Sequence, residues 1–132
     1  MAELVEKELS YKIVGVLFEV YNKLGGGYQE KYYQRAVARE LKNRSLKFTE
    51  QVKVPLNFKG ESIGRYFLDF LVEGKVILEI KVVNRFYQRD IKQVLAYLKS
   101  TDVTLGVLAN FSRNGLQLKR ILRGSNIVIR EN

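Results

Sequence analysis

The sequence predicts an α/β domain in which helices cover a sheet. Three observations carry this. Apolar residues recur at helical spacing in three separate stretches, they alternate with polar ones through Leu46–Phe58, and the segment from Lys75 to Val83 is apolar on both sides. A strand that is apolar all round belongs in the middle of a sheet covered on both faces.

From residue 4 to residue 24, Leu9, Ile13, Val16, Leu17, Val20 and Leu24 form a helical stripe opposite Glu and Lys residues. Gly25-Gly26-Gly27 ends this helix, because glycine adopts left-handed cap geometry readily. A second helix is predicted from about Tyr28 to Asn43. The alternation of Leu46, Phe48, Val52, Val54, Leu56 and Phe58 then marks a half-buried strand, and Pro55 within it points to a sheet edge or a bulge. Lys59-Gly60 turns the chain into a strand from about Ser62 to Val72, and Glu73-Gly74 turns it again into the strand from Lys75 to Val83. Helical spacing returns from Asn84 to Lys99, with Tyr87, Ile91, Val94, Leu95 and Leu98 aligned. A strand follows from Val103 to Ala109, then strand-like segments at Leu116–Leu122 and Ile127–Ile129.

The 132 residues suffice for a single domain spanning 1–132 and are too few for two ordinary ones. No apolar run is long enough to span a bilayer, and Met1 precedes an acidic helix rather than a basic leader, so the expected compartment is the cytoplasm, without a membrane partner. The chain has no Cys, His or Trp. Disulfides, thiolate chemistry, His-ligated zinc and Ser-His-Asp catalysis are thereby excluded. What remains for chemistry is carboxylates, Lys, Tyr and hydroxyls, a set suited to oxygen-ligated Mg²⁺ or Mn²⁺. Lys and Arg number 23 against 14 Asp and Glu, a net charge of +9 that favours a polyanionic partner, nucleic acid first.

The strands carry the unexpected charges. Asp69, Glu79 and Lys81 sit inside runs of Phe, Leu, Val and Ile, where an isolated charge is costly to bury. Side-chain alternation puts Glu79 and Lys81 on one face, and Asp69 joins them only if the hairpin loop holds an odd number of residues. An odd loop such as Val72-Glu73-Gly74 is expected; a two-residue loop would set Asp69 opposite Leu78 and separate the acids. An ion pair with Lys81 could neutralise one acid but would leave the other unpaired. Two converging carboxylates that bind a divalent cation, beside an ammonium that steers water or a phosphate oxygen, account for all three residues.

Glu30 also falls in line with Tyr33, Val37 and Leu41 on the inward face of the second helix, although an acid in a first turn also complements the helix dipole. Gln93 and Tyr97 lie four apart in the third helix, on a face with Phe86 and Asp90 and roughly opposite the Ile91–Leu98 stripe.

Asp69, with Glu79 ten positions on and Lys81 two beyond that, resembles the D…(D/E)xK signature of the PD-(D/E)XK nuclease superfamily, with Leu68 in place of the proline of its name. Gly27, Glu30 and Tyr33 match the string that names the GxxExxY branch of that superfamily, and Gln93 and Tyr97 match the QxxxY element of its RecB-like and lambda-exonuclease-like branches. The resemblance covers nearly the whole chain. It implies a restriction-endonuclease-like core, α-β-β-β-α-β around a mixed sheet, and metal-dependent hydrolysis of phosphodiester bonds in DNA. Asp69, Glu79, Glu30 and the Ile80 carbonyl would then hold Mg²⁺ or Mn²⁺, and Lys81 would orient water or stabilise charge on the phosphate. Gln93 would position Lys81, water or substrate, and Tyr97 would support the helix face or touch the nucleic acid. Lys12, Arg35, Arg85, Arg89 and Arg113 are candidates for phosphate contacts, though each also serves as an ordinary solvated charge. A homodimer is expected by analogy with small archaeal Holliday junction resolvases of the same core. The rival readings are a non-catalytic nucleic-acid-binding module that keeps the fold, and a protein-interaction scaffold.

Overall fold

The computed structural model describes residues 6–86 and 88–124. The helices are α1 (Lys7–Leu24), α2 (Glu30–Asn43) and α3 (Gln88–Ser100), and the strands are β1 (Phe48–Phe58), β2 (Glu61–Val72), β3 (Val76–Lys81), β4 (Leu105–Ser112) and β5 (Gly115–Leu122). The strands form one sheet in the order β1-β2-β3-β4-β5. Neighbours are antiparallel except β3 and β4, which are parallel because the α3 crossover connects them. Tyr87 and the expected segment Ile127–Ile129 lie outside the described residues.

Two cores sit on the two faces of this sheet. The first joins Ile13, Val16, Leu17 and Val20 of α1 and Tyr33, Val37 and Leu41 of α2 to Phe70, Val72, Leu78, Ile80 and Phe111. The second joins Ile91, Val94, Tyr97 and Leu98 of α3 to Leu68, Ile77, Leu108 and Ile121. β3 and most of β4 are therefore buried on both sides, as the all-round apolar pattern requires.

β1 is an edge strand, and its pairing with β2 shifts between Leu56 and Asn57, one residue after Pro55. Pro55 thus sits where its missing N–H costs little. Several boundaries move by two to four residues: α2 begins at Glu30, β1 at Phe48 and α3 at Gln88, β3 ends at Lys81, and β4 runs from Leu105 to Ser112. Gly27 has φ of 103°, which breaks helical geometry just before α2.

α3 approaches β4 closely at Gly106. A Cβ there would fall inside the contact radius of Val94 Cγ1 and 3.0 Å from Ile77 Cγ2. Overpacking of this kind costs about 1–3 kcal/mol. Gly106→Ala is therefore expected to lower the thermal midpoint, and an unchanged midpoint would show that α3 can move away.

Candidate active site

β2 and β3 pair as Phe70↔Leu78, Leu71↔Ile77 and Val72↔Val76, so their connection is the three-residue loop Glu73-Gly74-Lys75. The loop is odd, one residue later than Val72-Glu73-Gly74, and Glu73 and Gly74 both take positive φ. This register sets Asp69 opposite Glu79.

The backbone ladder stops at Phe70↔Leu78, and there the two acids take over as acceptors. The Asp69 N–H donates to Glu79 Oε1 at 2.9 Å, and the Ile80 N–H donates to Asp69 Oδ2 at 2.7 Å. The strands separate into a fork whose backbone donors are satisfied by carboxylates rather than by carbonyls. Both acids are buried, Asp69 at 8% exposure and Glu79 at 6%.

Lys81 Nζ lies 3.6 Å from Glu79 Oε2 and 3.6 Å from Asp90 Oδ1. Asp90, in the first turn of α3, is also buried. From the other layer, Gln34 Nε2 donates to Asp69 Oδ1 at 2.9 Å and to Glu30 Oε2 at 3.3 Å. The structure thus gathers Glu30, Asp69, Glu79 and Lys81 around one point, and adds Gln34 and Asp90.

Electrostatics follow from this crowding. Burial pushes the Glu79 carboxyl up to about 9, and the charge of Asp69 adds to the shift. Asp69 is raised as well, burial outweighing the favourable contacts from Glu79, the Ile80 amide, Lys81 and Gln34. The two carboxyls are close enough to share one proton. Glu30 is raised by burial, with Lys81 and the Val82 amide pulling the other way. Burial alone would favour neutral Lys81, but Glu79, Asp90, Glu30 and Asp69 together outweigh it and hold the ammonium above its ordinary value.

Gln93 and Tyr97 are placed differently. Tyr97 is buried in the α3-side core with Ile91, Val94 and Leu98, and its carbonyl accepts bonds from Ser100 and Thr101. The carbonyl of Gln93 accepts the Tyr66 hydroxyl at 2.8 Å. Among the described residues, neither the Gln93 amide nor the Tyr97 hydroxyl makes a hydrogen bond to Asp69, Glu79 or Lys81. The element that α3 brings to the acids is Asp90 instead.

The Gly27, Glu30, Tyr33 string divides its work. Tyr33 stacks on Phe111 with ring centroids 4.5 Å apart, and its hydroxyl donates to the Gly25 carbonyl at 2.6 Å while accepting the Tyr28 N–H at 3.2 Å. It pins the glycine loop from which α2 starts, and so fixes where Glu30 emerges. Tyr33→Phe keeps the stacking and loses both bonds, an expected cost of about 1–2 kcal/mol in denaturant unfolding.

Asn110, fully buried on β4, holds the exit of β3: its amide donates to the Val83 carbonyl at 2.8 Å and its oxygen accepts the Val83 N–H at 2.9 Å. Gln34, Asp90 and Asn110 escaped the sequence reading because polar residues on helices and strands are ordinarily solvated. Asp90 alone left a signal, standing on the face of the third helix that carries Gln93.

Among the described residues, no set of three or more acidic groups is arranged to hold a metal ion. The donor set is a carboxylate pair, and Mg²⁺ is commonly held by one or two carboxylates, with waters and substrate phosphates completing its octahedron. Asp69 and Glu79 fit that chemistry, while Glu30 stands behind them, joined to Asp69 through Gln34. No helix among the described residues is long and apolar enough to cross a membrane.

A sequence profile of the PD-(D/E)XK nuclease superfamily matches residues 7–121. A search of curated proteins finds no match. Among solved structures, the crystal structure of SSO0001 is similar, with a TM-score of 0.54 and 15% identity over 73% of this chain and 50% of that one, so this chain spans half the length of that relative. An alkaline exonuclease (LHK-Exo) from Laribacter hongkongensis superposes with a TM-score of 0.49 and 15% identity, over 93% of this chain and 72% of that one. At such identity, the likeness to SSO0001 shows the fold alone.

Proposed function

The chain belongs to the PD-(D/E)XK nuclease superfamily and has its restriction-endonuclease-like fold, and on that premise we propose that it is a metal-dependent nuclease that hydrolyses phosphodiester bonds in DNA. The observation that carries this is the fork: two buried carboxylates, Asp69 and Glu79, face each other beside a charged ammonium. A fold needs no such grouping for stability, since buried charges give little net gain even when paired.

Asp69 and Glu79, with the Ile80 carbonyl, would hold Mg²⁺ or Mn²⁺, and Glu30 would reach the cation through water. Bound there, the cation supplies activation of water and neutralisation of phosphate charge. Lys81 keeps its proton, because the surrounding carboxylates outweigh its burial. It therefore acts as a fixed positive charge on the scissile phosphate rather than as a base. Asp90 and Glu79 hold that ammonium from two sides, and Gln34 keeps Asp69 and Glu30 in mutual register. Gln93, one turn beyond Asp90 in α3, is assigned to positioning of substrate, and Tyr97 to support of that helix. Gly27, Glu30 and Tyr33 support placement in the GxxExxY branch.

The test is incubation of the purified protein with linear, circular and four-way-junction DNA in Mg²⁺, Mn²⁺ or EDTA. Cleavage with either cation and none in EDTA is expected. Intact substrates in every cation condition would overturn the reading and leave a nucleic-acid-binding module.

A further inference from the structure

The outer face of α2 carries a row of cations that the cleavage chemistry does not use. At 3.6 residues per turn, Lys31, Arg35, Arg39 and Lys42 fall within an arc of about 80°, on the side away from the buried Tyr33, Val37 and Leu41. Between this face and β1 lies a cleft of about 360 Å³, lined by these four residues, by Gln34 and Glu50, and by Asp69 itself. The same cavity thus joins the row of cations to one of the two fork carboxylates.

None of the four cations makes an ion pair among the described residues. Lys31 and Arg35 are instead held against the ring of Tyr32, at 5.2 Å and 5.8 Å from its centroid. Heads fixed in this way lose less freedom when an anion arrives. From Lys31 to Lys42 the helix rises about 16 Å, which matches four or five phosphates of one strand at about 3.4 Å each along a duplex axis. Glu50 is the one acid on the facing wall besides Asp69, so the cleft stays net positive.

We propose that this cleft is a phosphate track. One strand of the nucleic acid lies along α2 with its phosphates on Lys31, Arg35, Arg39 and Lys42, and runs from there into the Asp69–Glu79 fork. The proposal rests on the nuclease reading and adds to it a substrate requirement: the bound strand extends several nucleotides past the cleavage point on the α2 side.

The test is a salt titration of binding in EDTA, with a labelled single-stranded oligodeoxynucleotide and with the matching duplex. Each phosphate contact removed lowers the slope of log Kobs against log salt by about 0.7 on a single strand and about 0.9 on a duplex. The double variant Arg35→Ala/Arg39→Ala is expected to lower the slope by roughly 1.4 or 1.8, on whichever form is the substrate. Lys99→Ala, an exposed cation on α3, leaves it unchanged and serves as the control. An unchanged slope in the double variant overturns the track, as does a wild-type protein that binds neither oligomer. Cleavage assays separate the two ideas. If the wild type cuts DNA while the double variant keeps its full slope, the track fails and the nuclease stands. If the wild type never cuts but the double variant loses its slope, the nuclease reading fails and a phosphate-binding cleft remains.

Discussion

Replacing Glu79 with glutamine is expected to abolish cleavage and, in EDTA, to make the folded protein more stable at neutral pH. The folded-state carboxyl stands at about 9 against an ordinary value of 4.5, because it is buried and faces Asp69. Folding therefore takes up a proton between those two values. The contribution of Glu79 to stability is intact below about pH 4.5 and declines as pH rises toward 9, by about 1.4 kcal/mol per unit. Glutamine keeps an oxygen to accept the Asp69 N–H and has nothing to titrate. The expected gain is about 2–3 kcal/mol near pH 7, shrinking below about 1 kcal/mol near pH 5. The groups that set this balance are Asp69, Lys81, Glu30, Asp90 and Tyr66, from two strands and two helices packed around the fork. Urea unfolding in EDTA across that pH range measures it, and a variant less stable than the wild type at neutral pH would contradict it. Turnover should fall by at least about 10³-fold. Added Mg²⁺ should raise the thermal midpoint of the wild type and not that of the variant.

Lys81→Met removes the other half of the site and should behave oppositely in stability. Methionine fills the space of the aliphatic stem but removes the ammonium that faces Glu79, Asp90, Glu30 and Asp69. Stripping one partner from a buried ion pair costs about 3–5 kcal/mol. With a fifth of the Lys81 side chain exposed, about 2–4 kcal/mol is expected near neutral pH. Without the ammonium, the folded-state values of Glu79, Asp69 and Glu30 rise further. The loss therefore grows as pH climbs above the ordinary carboxylate range and fades below it. On the proposed mechanism, turnover is expected to be lost at every pH, because Lys81 would be the charge opposite the scissile phosphate. Lys81→Arg should restore most of the stability and little of the turnover, since a planar guanidinium cannot take the position of a compact ammonium. Stability and cleavage moving in opposite directions in Glu79→Gln, and together in Lys81→Met, is an outcome that a purely structural ion pair does not produce.

Much of the architecture is written in local periodicity. The stripe Ile13, Val16, Leu17, Val20 names the face of α1 that is buried, and Tyr33, Val37 and Leu41 do the same for α2. Leu116–Leu122, read only as strand-like, is β5. The third helix is where periodicity misleads. Tyr97 lies well off the Ile91–Leu98 stripe, yet it is buried in the α3-side core with Leu68 and Leu108, and Tyr66 of β2 packs against that core and bonds the Gln93 carbonyl. The buried arc of that helix is wider than its apolar stripe.

By itself, the sequence determined which segments are helix or strand, which faces are apolar, and that Asp69, Glu79 and Lys81 stand where charge is costly. Those properties depend on neighbours three or four residues away, or two along a strand. Only the tertiary structure decided that the β2–β3 ladder ends one pair short of the acids, that Gln34 bridges Glu30 to Asp69, that Asp90 rather than Gln93 meets Lys81, and that the cations of α2 open onto the same cleft as Asp69. Each of these turns on strand register and on how two helices lie across a sheet. A one-residue change of register would reverse every side chain without altering the apolar pattern of either strand's neighbours.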